Sequence, residues 1–219
     1  MQHIITGLSV QKRNPQRVNI YLDGDFAFGL SRILAAWLSV GQSLTDERIS
    51  ELQAEDQYES AYQRSLHFLN YRPRTQAEIR RKLSEHEIPG DVIERILQRL
   101  MELNLLDDER FAKSWIENRN EFRPRSRRAL AIELKQHGIA AETIEQSLEA
   151  VDEENLAYQA ALKQAHKYQG LDWLRFRQKM YGFLARRGFN YEVSAPITAR
   201  VWADLQSDNK NNAQEEVDL

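Results

Sequence analysis

Arg72-Pro73-Arg74-Thr75 and Arg123-Pro124-Arg125-Ser126 each set two guanidinium groups around a proline and ahead of a hydroxyl residue. A guanidinium is a permanent cation with a planar fork of donors, so its chemistry is recognition of carboxylate or phosphate rather than bond making. The second motif continues into Arg127-Arg128, and Arg186-Arg187 lies further along. If Ser126 caps a helix, Arg127 and Arg128 fall in its first turn, where the helix dipole opposes a cation by roughly 0.3–1 kcal/mol. An anion or an acidic partner surface opposite them offsets that cost. Arg72, Arg74, Arg123, Arg125, Arg127, Arg128, Arg186 and Arg187 are therefore the candidate partner-binding residues. Part of each motif has a purely structural reading, because Pro73 and Pro124 end one helix and set the entry to the next.

Other chemistries find little material. There is no Gly-rich phosphate loop, no Walker motif and no His-Glu-x-x-His, and the five histidines are scattered. No cysteine is present, which removes disulfides, thiolate nucleophiles and cysteine metal sites and suits a reducing cytosol. Asp107-Asp108-Glu109 reads as a helix start rather than a cation site. His86 and His137 share a repeat position near a helix C-terminus, where histidine is structural. No catalytic, metal or cofactor residue is expected, and the chain reads as a non-enzyme.

Charge follows position along the chain. Six basic residues between Arg119 and Lys135 face only Glu121 and Glu133, and seven between Lys163 and Arg187 face only Asp172. The stretch from Glu142 to Glu154 holds six acids and no base. Many such charges simply wet a helix surface or pair one turn away, as Arg80, Arg81 and Lys82 can with Glu78 and Glu85. The net charge of −3 imposes no global field.

The elements that position these residues follow from an internal echo. Arg72 to Leu100 and Arg123 to Val151 align without a gap at a spacing of 51 residues, through Leu83/Leu134, Ile93/Ile144, Glu94/Glu145 and Leu97/Leu148. A repeat of this length means stacked helical units, which present surfaces to partners. The predicted fold is mainly α: three tandem three-helix repeats in an elongated stack, over residues 56–104, 105–151 and 152–206. The first repeat comprises Tyr58 to Tyr71, Thr75 to His86 and Pro89 to Glu102. The second comprises Asp107 to Glu121, Ser126 to His137 and Ala140 to Ala150. The third comprises Asp152 to Tyr168, Leu171 to Arg187 and Asn190 to Leu205, with Pro196 expected to delay or kink the last helix. Trp37, Trp115, Trp173 and Trp202 are assigned to cores or contacts between repeats.

Residues 1–55 read as a small α+β module. Alternation at Val18, Ile20 and Leu22, with turns at Asn14-Pro15 and Asp23-Gly24, predicts a three-stranded meander over about 3 to 11, 17 to 22 and 25 to 29. A short helix capped by Ser31 is expected to cover it, and a second helix capped by Thr45 to end near 55. Residues 207–219 are polar and acidic and read as a disordered tail. No transmembrane or signal segment is visible, no heptad seam is sustained, and a cytosolic monomer is expected.

Tyr71-Arg-Pro-Arg-Thr75 with Glu78-Ile-Arg-Arg-Lys-Leu83, then Leu105-Leu-Asp-Asp-Glu-Arg-Phe-Ala112 and Arg187-Gly-Phe189, resemble the RecX family of recombination regulators. Gln11 to Arg17 and Val18 to Gly24 are similar to the strand-rich extension of its longer members, so the resemblance runs from about 3 to 206. It implies tandem three-helix repeats, binding to the RecA recombinase, docking in the groove of its nucleoprotein filament, and inhibition without a cofactor. The competing expectation from the residues is a stand-alone DNA-binding module of helix-turn-helix type, gripping phosphates through Arg127 and Arg128.

Overall fold

The structure, a computed structural model, describes residues 1–215, with side chains through residue 207. The chain divides into two compact units, Met1–Leu106 and a second from Asp107 onward. The first opens with four antiparallel strands, β1 (Gln2–Gln11), β2 (Asn14–Leu22), β3 (Asp25–Ser31) and β4 (Ser43–Thr45), in the order β3-β2-β1-β4. Only three strands are expected from the sequence. The fourth, paired with Gln2 to Ile4, is three residues long and too short to show a period. Asp23 (φ 51) and Gly24 (φ 103) form the left-handed two-residue turn between β2 and β3. The first turn falls at Lys12-Arg13, so Pro15 lies inside β2. It is tolerated because the register slips between Val10↔Val18 and Gln11↔Asn14, leaving its missing donor outside the ladder.

Ile5, Ile20, Leu22, Phe28 and Leu30 form one apolar core with Leu44 and Leu52. The predicted cover is present but shorter than expected. Helix α1 is a single turn, Arg32–Ala35, and Ser31 makes no side-chain cap. Trp37, just past its end, is 84% exposed rather than in a core. Ala35 and, past the helix end, Leu38 still pack into the sheet core, and the cover is completed by α2, Asp46–Tyr71, one helix of 26 residues where a break near 55 is expected. No Gly or Pro lies between Thr45 and Arg72, so the backbone ladder continues although the apolar period lapses. At the lapse, buried Asp56 accepts from the Ser31 N–H (2.6 Å) and the Arg17 guanidinium (2.8 Å).

His3 joins the end of the sheet to the start of α2: Nδ1 lies 2.7 Å from Asp23 and Nε2 3.1 Å from Asp46. Hydrogen bonds to Asp23 and then Asp46 raise its pKa above the ordinary imidazole value. Asp23 is lowered by the Ile4 N–H and then His3, and Asp46 by the Met1 amino group and then His3. The tie is at full strength between about pH 4 and about pH 6.5. It weakens as pH rises through the raised His3 value, and as pH falls through the lowered carboxylate values. In an NMR titration, Asp23→Asn is expected to return the His3 ring toward its ordinary pKa. An unchanged midpoint would remove Asp23 from the tie.

The first repeat uses the C-terminal half of α2 with α3 (Gln76–Ser84) and α4 (Gly90–Glu102) around Ala61, Tyr62, Ile79, Leu83, Ile96 and Leu100. The second unit holds α5 (Asp108–Phe122), α6 (Arg127–Gln136), α7 (Ala141–Leu148) and α8 (Glu153–Ala165). A 3-10 turn at His166–Tyr168 leads to α9 (Trp173–Arg186) and α10 (Tyr191–Glu215). Asp107, Ser126, Asp152, Asp172 and Asn190 each accept the N–H three residues on, at 2.9–3.1 Å, so α5, α6, α8, α9 and α10 each start directly after a side-chain cap, whereas α7, preceded by Ala140, has none. Asp107 therefore has the capping role expected of its acidic triplet. Repeats two and three share one core, in which Leu130, Leu134, Ile144 and Leu148 meet Phe176, Met180, Leu184 and Val201. His137 packs on Phe111 and Trp115. Pro196 does not delay α10, which starts at Tyr191 on the Asn190 cap and takes the proline in its second turn. The helix runs to Glu215, into the tail expected to be disordered, with no Gly or Pro after 196 to stop it. Residues 216–219 of that tail lie outside the described residues. Among the described residues, no helix is long and apolar enough to cross a membrane, and no three His, Asp or Glu side chains are grouped to hold a metal ion.

Candidate partner-binding surface

In the first unit, Arg72 and Arg74 flank Pro73 at the junction of α2 and α3. Arg72 lies 2.9 Å from the buried Glu78 carboxylate and donates to the Pro73 carbonyl. Arg74 donates to the Phe68 carbonyl at 3.1 Å, near the end of α2, and lies 3.7 Å from Glu78. Arg74 is largely inward and closes a helix end, whereas Arg72 keeps about half its side chain in solvent (47%).

In the second unit the Arg-Pro-Arg-Ser segment is locked to the end of α9. The Ser126 N–H donates to the Arg187 carbonyl (3.1 Å), and the Arg187 guanidinium donates to the Pro124 carbonyl (2.9 Å) while lying over the Phe183 ring. Burial, and then the nearby Arg123 and Arg125 charges, push the Arg187 guanidinium below its ordinary pKa. Arg123, Arg125 and Arg187 therefore form one cation cluster. Arg125 is partly neutralised by Glu133 at 3.0 Å, and Arg119 reaches the same carboxylate at 2.8 Å, as does the Trp115 indole N–H.

Arg127 points elsewhere. Its guanidinium donates through Nε and Nη2 to the Val151 carbonyl, just past the end of α7, beside Glu149, Asp152, Glu153 and Glu154. The anionic complement argued from its first-turn position is thus supplied from within the chain, by a helix end and its acids. Arg123, Arg128 and Arg186 are exposed and have no ion-pair partner among the described residues. Arg72 and Arg127 are exposed too but are engaged within the chain, so these three are the outward cations left for a partner. Sequence reasoning missed Glu133, which sequesters two of the basic residues counted around it. Its only signal was that it is the one acid within α6.

Four sequence-family models match in succession. "Regulatory protein RecX N-terminal domain" covers residues 3–45, over the strands, and "RecX, first three-helix domain" covers 61–100. The second and third three-helix domains of RecX cover 107–148 and 152–195. A Regulatory protein RecX of Lactobacillus gasseri is 34% identical over 94% of this chain and 76% of its own length. One from Clostridium perfringens is 32% identical over 90% of this chain and 95% of its own. Among solved structures, a crystal structure of regulatory protein RecX superposes with a TM-score of 0.67 at 30% identity, covering 90% of this chain and 99% of that one. RecX from Lactobacillus salivarius, at 24% identity and a TM-score of 0.60, shares the fold over 67% of this chain. With the small sheet and all three helical repeats matched in order, the chain belongs to the RecX family of regulatory proteins.

Proposed function

We propose that this protein binds a RecA-type recombinase and its DNA filament and lowers the recombinase's activity in recombination and repair. The observation that carries the reading is family membership along nearly the whole chain, with every repeat present. It acts by binding alone and needs no cofactor. Its outward cations, Arg123, Arg128 and Arg186, meet phosphate or acidic protein surface on the filament, an attraction that salt screens.

The test measures binding to DNA alone, to recombinase alone and to the assembled filament, together with recombinase ATPase and strand exchange. Binding to the recombinase or filament with loss of both activities is expected. Tight, sequence-specific duplex binding without effect on the recombinase would replace this reading by the helix-turn-helix one. Substituting Arg123, Arg128 and Arg186 together by Glu is expected to weaken filament binding about tenfold at low salt, with the difference shrinking as salt rises. Unchanged inhibition by a folded triple variant would move the interface off these residues.

A further inference from the structure

The same groove between the second and third helices of a repeat can be compared three times within this chain. In the first repeat Arg80 on α3 closes it by a two-point bridge to Glu94 on α4, Nε to Oε1 at 3.0 Å and Nη2 to Oε2 at 2.9 Å. In the third repeat Tyr181 on α9 and Tyr191 on α10 close it with an edge-to-face ring pair, centroids 5.5 Å apart. In the second repeat the 51-residue register puts Ala131 opposite Arg80 and Glu145 opposite Glu94. The bridging arginine is gone, its acid remains, and an open groove of about 840 Å³ lies between α6 and α7.

The lining of that groove is specific in kind. Ala131, Ile144 and Leu148 make an apolar floor, and Ile132, half exposed at 50%, stands at its rim off the buried stripe of Leu130 and Leu134. Arg128 and Lys135 border it on α6, and Glu145 on α7 with Glu149 just past its end. An apolar strip between a cationic and an anionic wall is complementary to one class of occupant, an amphipathic helix with aliphatic anchors, carboxylates on one flank and Lys or Arg on the other. A nucleic acid strand matches the cationic wall but is repelled by the anionic one, and has no use for the aliphatic floor.

We infer that the α6–α7 groove of the second repeat is the docking site for an amphipathic helix of the partner protein. This rests on the functional reading above, so that the partner is the recombinase itself rather than its DNA. Arg128, already counted among the outward cations, contributes here as the wall that receives a carboxylate.

The test uses the full chain and recombinase without DNA. Ala131→Arg installs the bridge to Glu145 that the first repeat already uses, filling the groove with an interaction the fold accommodates. It is expected to weaken recombinase binding at least tenfold while the thermal midpoint stays within a few degrees. Ile132→Ser, at an exposed rim position, provides a second variant should the arginine perturb α6, and is expected to weaken binding several-fold. Wild-type protein that binds and variants that bind equally well would overturn the groove alone. Wild-type protein that binds the assembled filament but not the DNA-free recombinase would overturn the groove and leave the functional reading standing, and binding to neither would overturn both.

Discussion

Replacing Gly188 by alanine is expected to lower the stability of the C-terminal unit by about 3 kcal/mol, from left-handed backbone and overpacking together. Gly188 ends α9 at φ +91, with its N–H donating to the Ala185 carbonyl and the following Phe189 N–H to Leu184. A Cβ there would stand 2.5 Å from Ser126 Oγ and 2.8 Å from the Ala129 Cβ. Neither neighbour can retreat cheaply. Ser126 is fully buried and its oxygen caps α6, while Ala129 is held by that helix's backbone. The substitution therefore damages two helix ends at once. Thermal unfolding followed by tryptophan fluorescence should show the midpoint falling by about 10 °C. A fall of only a degree or two would mean that the contact between α9 and α6 is not a close-packed one.

Glu133→Ala is the second large effect, about 2 kcal/mol, because it strips the shared counter-ion from Arg119 and Arg125 and the acceptor from the Trp115 indole. Both arginines are about one quarter exposed, which keeps the cost below that of a fully buried pair. Glu133→Gln retains an acceptor for Trp115, so it should lose less and leave Trp115 emission closer to wild type. A double-mutant cycle between Arg125→Ala and Glu133→Ala is expected to give a coupling of about 1 kcal/mol. Zero coupling would show that the 3.0 Å pair contributes no net stability.

Both predictions concern residues whose importance is unevenly visible in the chain. The repeat plan was legible because it is written locally: hydroxyl and acidic caps at Thr75, Asp107, Ser126 and Asp152 precede apolar stripes, and Gly138 and Gly188 follow them. The Asp23-Gly24 hairpin was legible for the same reason. What escaped depends on partners distant in sequence. Asp56 looks like a polar gap until Arg17 and Ser31, far earlier in the chain, are brought to it. Arg127 has a first-turn placement readable from Ser126, but its destination, the Val151 carbonyl, lies 24 residues on. The candidate arginines were legible as cations and not as roles. Arg74, Arg125, Arg127 and Arg187 are tied to carbonyls or a carboxylate of their own chain, and the groove beside Arg128 emerges only when Ala131 is set against Arg80.

The unbroken helix α2 also sets a phase. Leu52 belongs to the core of the sheet and Ala61 to the core of the first repeat, and both hang from one rigid rod. Each residue of an α-helix advances it by about 100°, so the number of residues between those two positions determines which way the repeat faces from the sheet. Side chains on the exposed face of that span are free to drift, but its length is not. A single inserted residue would turn the repeat about a quarter of a revolution without disturbing either core. In this chain, therefore, substitutions on the polar surface of α2 leave the two cores in phase while a change in its residue count does not, like the teeth between two meshed gears.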